Sequence, residues 1–131
     1  MIKKAGTILI NKDTKCVGLV KRKKHNDISF PKGHLEDNES LRECAVRETI
    51  EETGRNCKLI FEEPIYIDTY KNKEGIVEVY YYLAEDLGKI NNNIDEELIW
   101  INVYEVLNIL EYDSLKDIYI NIYDKVINVI E

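Results

Sequence analysis

The chain contains few of the residues that mark disulfide-rich or zinc-binding proteins. Its 131 residues include only two prolines, six glycines and three cysteines. An odd number of cysteines (Cys16, Cys44 and Cys57) with no metal-ligand spacing argues against a disulfide scaffold or a zinc site. We therefore expect reduced, partly buried thiols in a cytoplasmic protein, with Cys44 in a packing role.

Long apolar runs are also missing. No stretch approaches the roughly 20 apolar residues of a membrane span. The N-terminal sequence MIKKAGTILI lacks a full signal-peptide core and cleavage site, and it continues as a plausible strand. There are no repeats, low-complexity tracts or linkers, so we expect one domain over residues 1–131, large enough to bury a core.

An excess of positive charge is missing as well. The formal net charge is −7, from 25 acidic and 18 basic residues. Proteins whose main partner is a nucleic-acid backbone usually carry a basic excess, so such a partner is not expected here. The acidic balance is compatible with a site that holds cations.

The acidic residues are concentrated between residues 33 and 54, where the sequence is GHLEDNESLRECAVRETIEETG and contains seven carboxylates. Glu48, Glu51 and Glu52 follow at i, i+3 and i+4, which on a helix places them within an arc of about 100°. Like charges this close repel, and a hard divalent cation such as Mg²⁺ would turn the repulsion into attraction. Taken alone, however, such a helix face is more often simply solvated.

The flanking residues give this helix a specific pattern. Gly33, Glu39, Arg47 with Glu48, Glu51 with Glu52, and Gly54 follow one another at fixed spacing. This arrangement resembles the Nudix box, the defining motif of the Nudix hydrolases. Two positions depart from the pattern, since the family prefers aliphatic residues where this chain has Thr49 and Arg55; both are packing positions rather than chemical ones.

The resemblance implies hydrolysis of a nucleoside diphosphate linked to another group, with Mg²⁺ (Mn²⁺ possible) as cofactor. By the family's pattern, Glu48 and Glu52 would hold the principal metals, Glu51 would be a further ligand or the general base, and the Gly33 carbonyl would complete a coordination shell. Arg47 would orient the catalytic loop and the first acid, reaching back to Glu39 or to a loop carbonyl. Its alternative role is a surface ion pair of little energetic value.

Relatives of this kind carry an extra catalytic acid outside the box, often shortly before a strand that contains tryptophan. Here the candidates are Asp95, Glu96 and Glu97, ahead of Trp100, with Glu96 or Glu97 favoured. The alternative is a solvated acidic loop.

The residues around the box bear on the substrate. The form Pro31-Lys32-Gly33-His34 resembles the asymmetric diadenosine tetraphosphate hydrolases, in which case Lys32 and His34 would meet phosphate. The run Tyr80-Tyr81-Tyr82-Leu83-Ala84 resembles a strand of the same enzymes, which implies ligand contact by Tyr81, and a lysine near Lys71 or Lys73 would hold polyphosphate. Solvated lysines, a loop histidine and core aromatics are the alternatives.

The expected activity is therefore hydrolysis of diadenosine tetraphosphate to ATP and AMP. Alternatives on the same scaffold are a nucleoside triphosphate pyrophosphatase of the housecleaning type, an RNA 5′-pyrophosphohydrolase and a diphosphoinositol polyphosphate phosphatase; a Nudix-fold nucleotide sensor is the alternative without catalysis. A small nucleotide is the expected partner, with nucleic acid restricted to a capped or triphosphorylated RNA 5′ end, and the sequence does not fix an oligomeric state.

Periodicity and turn residues predict the elements. We expect strands over 3–10, 15–22 and 97–102, a polar loop over 24–32, a short strand at 33–35, and a strand pair over 57–70 and 75–85. Helices are predicted from Glu39 or Ser40 to Thr53 with Asn38 as N-cap, over 103–110, and over 113–130. The pattern is α/β (α+β), and the family resemblance implies an α/β/α sandwich with a mixed β-sheet.

Overall fold

The computed structural model describes all residues from Met1 to Glu131. It contains eight strands and three helices, in the order β1 (Ile2–Asn11), β2 (Cys16–Arg22), β3 (Asp27–Ser29), β4 (Lys32–His34), α1 (Leu41–Thr53), β5 (Arg55–Leu59), β6 (Tyr66–Asn72), β7 (Gly75–Lys89), β8 (Glu97–Asn102), α2 (Val106–Ile109) and α3 (Asp113–Ile130). No helix combines the length and the apolar character that crossing a membrane requires.

All eight strands join one mixed sheet with β1 and β7 at its centre. β1 runs parallel to β7, whereas every other pairing is antiparallel. β7 is 15 residues long, so its first half pairs with β6 and its second half with β5. The mixed sheet with helices confirms the predicted fold class.

Alternation along β1 assigns the two faces of the sheet to different helices. Ile8 and Ile10 belong to the main apolar cluster, which also contains the buried residues of α3. The side chain of Thr7 points to the opposite face of the sheet, where its hydroxyl bonds the Thr49 hydroxyl of α1. The sheet is thus covered by α3 on one side and by α1 on the other.

Helical spacing predicts that the buried face of α3 consists of Leu115, Ile118, Tyr119, Ile122, Val126 and Val129. Its buried residues are Leu115, Ile118, Tyr119, Ile122, Val126 and Ile130. Val129, predicted to be part of this stripe, is only partly buried. The Tyr119 hydroxyl donates to the Val103 carbonyl at 2.7 Å, so the buried tyrosine leaves no polar atom unpaired.

Several predicted boundaries are wrong. The interval 24–32 is not all loop, because it contains β3, which pairs with β2. The interval 57–70 holds parts of two separate strands. Helix α1 is capped by Ser40 rather than Asn38, which instead adopts a left-handed backbone with φ of 63°.

Helical spacing predicts Ala45, Val46, Thr49, Ile50 and Thr53 as the buried stripe of α1, and the structure differs from this prediction. Cys44, Ala45, Thr49 and Thr53 are buried, whereas Val46 and Ile50 are only partly buried. Val46 and Ile50 line a groove on the outer side of the helix instead. The small residues face the sheet because a helix that packs closely on strands has little room there.

Candidate active site

The ends of α1 are fixed by its own sequence. The Ser40 hydroxyl accepts from the Glu43 amide at 3.0 Å, and the Glu43 carboxylate accepts from the Ser40 amide at 2.9 Å, which forms a capping box. Gly54 ends the helix with φ of 74°, a left-handed conformation that costs glycine no steric strain. The predicted stop at Gly54 is confirmed.

The centre of α1 is anchored to β1 by a buried polar contact. The Thr7 and Thr49 hydroxyl oxygens lie 2.7 Å apart, and Thr49 also donates to the Ala45 carbonyl at 2.8 Å. Both residues are fully buried. An aliphatic residue at position 49 would leave the Thr7 hydroxyl without this partner, so Thr7 explains the departure from the family pattern.

Arg47 connects the helix to the loop before it. Its guanidinium donates to Glu39 at 2.6 and 2.9 Å and to the His34 carbonyl at 3.0 Å. It also donates to Glu48 at 3.0 Å and to Glu51 at 3.1 and 3.2 Å. The bonds from Arg47 lower the pKa of Glu39 to about 2. The structure therefore gives Arg47 the contacts expected of a residue that braces the loop.

The three predicted acids meet in a cleft of about 450 Å³ between α1 and the strands β2 and β4. The Glu48 carboxylate is 13% exposed and lies against Gly33, where there is no side chain to displace it. Glu52 accepts from the Lys32 amide at 3.0 Å, which ties the helix to β4. Glu51 is more open, with 44% of its side chain exposed.

The surroundings of Glu48 and Glu52 disfavour the charged forms of both carboxylates. Burial, assisted by the charge on Glu51, raises the pKa of Glu48 above its ordinary value. Burial raises the pKa of Glu52 to about 7, with a further contribution from Glu48. Both shifts follow from placing neighbouring carboxylates in a partly desolvated cleft.

The carboxylates have the chemistry that a hard divalent cation requires, and a bound cation would relieve the repulsion that raises their pKa values. No three His, Cys, Asp or Glu side chains are already gathered at metal-binding geometry, however. Glu48 and Glu51 bond Arg47 instead, so Arg47 acts as their counter-ion. The Gly33 carbonyl accepts a weak bond from the Cys44 thiol, at 3.6 Å. Cys44 itself is buried, as its predicted packing role requires.

Among the candidates for the extra acid, the structure brings Glu96 to the cleft. Its carboxylate accepts from the Lys23 amide at 2.9 Å, which holds it beside the β2–β3 turn. Asp95 and Glu97 do not line the cleft; Glu97 begins β8 and pairs with Lys21. The backbone of Asp95 contributes indirectly, because its amide donates to the Glu51 carbonyl at 3.0 Å and fixes the loop to α1.

The cleft also has a basic side, made of Lys4, Arg22, Lys24, His25, Lys32 and His34. Lys32 and His34 were predicted from their place before the box. Burial, with a contribution from Arg22, lowers the pKa of Lys32 to about 8. Lys4, Arg22, Lys24 and His25 were missed, although the basic run from Lys21 to His25 was visible in the sequence. Its position at the cleft depends on how β2 and β3 pair.

Two predicted substrate contacts lie elsewhere. Tyr81 is 1% exposed and packs edge-on against Phe30 at 5.7 Å between ring centroids, so its ring belongs to the core and lines no cavity. Its neighbours Tyr80 and Tyr82 face the opposite side of the sheet, as alternation predicts. Lys73 is an exposed residue of the turn between β6 and β7, and it does not line the cleft. Neither position supports the predicted contact with ligand.

A family model described as the NUDIX domain matches residues 2–123. The chain belongs to the Nudix family. The match extends far beyond the box and includes every strand and most of α3.

Relatives differ in their names. The chain is 30% identical to Nudix hydrolase 13, mitochondrial, of Arabidopsis thaliana over 70% of this chain and 51% of that protein. It is 30% identical to the 8-oxo-(d)GTP phosphatase of Mycolicibacterium smegmatis over 73% of this chain and 30% of that protein. The chain thus spans about half or less of the length of these relatives.

Among solved structures, the Ap4A hydrolase of C. elegans superposes with a TM-score of 0.72 at 20% identity. The superposition covers 96% of this chain and 98% of that chain. At this level of identity the likeness establishes the shared fold.

Proposed function

We propose that this chain is a divalent-metal-dependent hydrolase that cleaves a phosphoanhydride bond of a nucleoside polyphosphate, working as one Nudix domain over residues 1–131. The observation that carries the proposal is the cleft itself, in which Glu48, Glu51, Glu52 and Glu96 lie close to a set of cationic side chains. A polyphosphate substrate requires both the acidic and the cationic residues. Its phosphate oxygens bind cations, and the metal ions that accompany it bind carboxylates.

In the proposed site, Glu48 and Glu52 are the principal metal ligands, with Glu51, Glu96 and the Gly33 carbonyl as further donors. Mg²⁺ is the expected ion and Mn²⁺ the alternative, since carboxylate sites separate these two ions poorly. A divalent cation bound there would neutralise phosphate charge and lower the pKa of a coordinated water.

The protein's own groups bind and orient the substrate. In this proposal the half-buried Lys32 and the exposed His34, which both line the cleft, would each meet a phosphate. Arg47 holds Glu48 and Glu51 at defined positions while Glu39 holds Arg47. Glu51, with 44% of its side chain exposed, is the proposed general base that would accept a proton from an attacking water.

For the substrate we propose diadenosine tetraphosphate. Water would form a new P–O bond, one anhydride P–O bond would break, and the products would be ATP and AMP. The Pro31-Lys32-Gly33-His34 sequence and the basic side of the cleft support a long polyphosphate chain. The buried position of Tyr81 removes one argument for this substrate, so the phosphate contacts carry the proposal.

A second candidate is a nucleoside triphosphate pyrophosphatase. It is favoured by the 8-oxo-(d)GTP phosphatase among the relatives. Such an activity would release a nucleoside monophosphate and pyrophosphate. An RNA 5′-pyrophosphohydrolase would use the same chemistry on a longer substrate.

A substrate panel with Mg²⁺ and chromatography of the products tests these proposals. The leading proposal expects diadenosine tetraphosphate to give equal amounts of ATP and AMP. If that compound survives while nucleoside triphosphates lose pyrophosphate, the second candidate is correct. If no compound is cleaved but nucleotides bind, the chain is a nucleotide sensor.

A further inference from the structure

Arg22 is held at the cleft by a buried carboxylate. Its Nε and Nη2 atoms donate to the two oxygens of Asp27, each at 2.6 Å. The Asp27 side chain is 3% exposed, whereas Arg22 is 27% exposed and lines the cleft. A bidentate pair of this kind fixes the plane of the guanidinium, which leaves little side-chain entropy to lose when an anion binds.

One edge of this guanidinium remains free. The Nη1 atom of Arg22 makes no hydrogen bond within the protein, in contrast to Nε and Nη2. Lys24 and His25, which follow in the β2–β3 turn, also line the cleft. These residues come from β2 and the turn after it, whereas Glu48, Glu51 and Glu52 come from α1. The combination is suited to an anion that extends past the acidic residues.

A second pair in the protein has almost the same geometry without the same surroundings. Arg55 donates to Asp86 at 2.9 and 2.6 Å, and their side chains are 22% and 3% exposed. The Arg55 guanidinium lies 5.5 Å from the centre of the Trp100 ring, and neither residue of the pair lines the cleft. Arg55 has the same bidentate geometry outside the cleft, so the position at the cleft is what distinguishes Arg22.

We propose that Arg22, positioned by Asp27, binds the phosphate groups that lie beyond the acidic cluster and so makes the cleft selective for long polyphosphate chains. This rests on the proposed function, because it concerns the same cleft. Arg22 would act on substrate binding rather than on cleavage of the anhydride bond. Asp27 is a positioning residue, since it acts through Arg22.

The test compares Arg22→Gln and Arg22→Lys with the unaltered protein on diadenosine tri-, tetra- and pentaphosphate in the presence of Mg²⁺. Arg22→Gln is expected to raise KM for the tetra- and pentaphosphate about tenfold to 100-fold, the usual worth of a charge-assisted hydrogen bond. The change in kcat and in KM for the triphosphate should be small. Arg22→Lys should recover part of the loss, because it keeps the charge but not the bidentate geometry.

The Arg55–Asp86 pair provides the matched control. Asp27→Asn and Asp86→Asn each weaken a bidentate contact made by a buried side chain, so both should lower the melting temperature. Only Asp27→Asn is expected to raise KM for the longer substrates. If Asp86→Asn raises KM equally, or if Arg22→Gln lowers kcat at constant KM, the proposal is wrong.

Binding of inorganic tripolyphosphate to the metal-free protein, measured by calorimetry, separates this proposal from the proposed function. If the protein cleaves no dinucleotide, tripolyphosphate should still bind, and Arg22→Gln should still weaken that binding about tenfold or more. If tripolyphosphate binds Arg22→Gln as well as the unaltered protein, Arg22 has no role in phosphate recognition, whatever the enzyme cleaves.

Discussion

A Cβ atom at Gly33 would lie 2.1 Å from the carboxyl carbon of Glu48 and 2.2 and 2.3 Å from its two oxygens. Only glycine can therefore occupy position 33 while Glu48 keeps its place. The close approach joins β4 to the first acid of α1, so a strand residue with no side chain determines where a proposed metal ligand lies.

Gly33→Ala is expected to displace the Glu48 carboxylate and to lower kcat by about 100-fold, because a small misplacement of a catalytic group has a large cost. The measurement is steady-state hydrolysis beside circular dichroism. Gly75→Ala is the control for backbone strain, since the φ of 127° at Gly75 disfavours alanine while nothing lies within 4 Å of its added Cβ. Equal losses of activity in both variants would contradict the role given to Gly33.

Glu52→Gln is expected to lower turnover by at least about 100-fold while the fold is retained. The amide oxygen of glutamine can still accept from the Lys32 amide, which Glu52 does at 3.0 Å. What is lost is the charge that would hold a cation. The exposed Glu62, 85% accessible, provides the control variant Glu62→Gln. Unchanged turnover in Glu52→Gln would refute the metal assignment.

The raised pKa of Glu52 predicts a pH-dependent stability of the metal-free protein. Because burial raises its pKa from 4.5 to about 7, its stabilising contribution is complete below pH 4.5 and is lost as the pH rises through 7. The melting temperature should therefore fall between pH 5 and pH 7.5, a range in which the lowered pKa of Glu39, about 2, has no further effect.

Two controls accompany this measurement. Glu52→Gln should flatten the pH dependence, since the titrating group is removed. A divalent cation should raise the melting temperature more at pH 7.5 than at pH 5, because protons compete with the metal for the carboxylate. A melting temperature that rises steadily with pH would show that Glu52 does not titrate in this range.

The three thiols should differ in reactivity. Burial raises the pKa of Cys44 and of Cys57 to about 11 each, so neither forms much thiolate at neutral pH. Cys16 is the partly exposed one. Alkylation of the native protein at pH 7.5, followed by mass spectrometry, should give one modification at Cys16 and three after unfolding. Rapid labelling of Cys44 in the folded protein would contradict its position under Arg47 and β4.

The features that the sequence predicted best depend on the spacing of residues that are close in the chain. Local helix geometry places Glu48, Glu51 and Glu52 on one face, and Gly54 stops the helix by its backbone preference. These features depend on neighbours in the chain, so they could be predicted. The family membership is confirmed, whereas the individual site roles stay predictions.

Features that depend on distant residues could not be predicted. The basic run containing Arg22 enters the cleft only because β3 folds back on β2. Tyr81 was expected to contact ligand but is buried, because packing of α3 and Phe30 on that face of β7 covers its ring. Likewise, only the contact with Thr7 explains why Thr49 replaces an aliphatic residue.

The parallel pairing of β1 and β7 has a consequence for how the protein folds. It joins residues 2–10 to residues 77–85, so the central pair of the sheet closes over a long sequence separation. Contacts of this kind slow folding, because the entropy of the intervening chain is lost before they form. During synthesis, β1 must wait for β7 to leave the ribosome. Helix α1, which carries the acids, is synthesised before β7, so the sheet on which it packs is completed only after β7 is made.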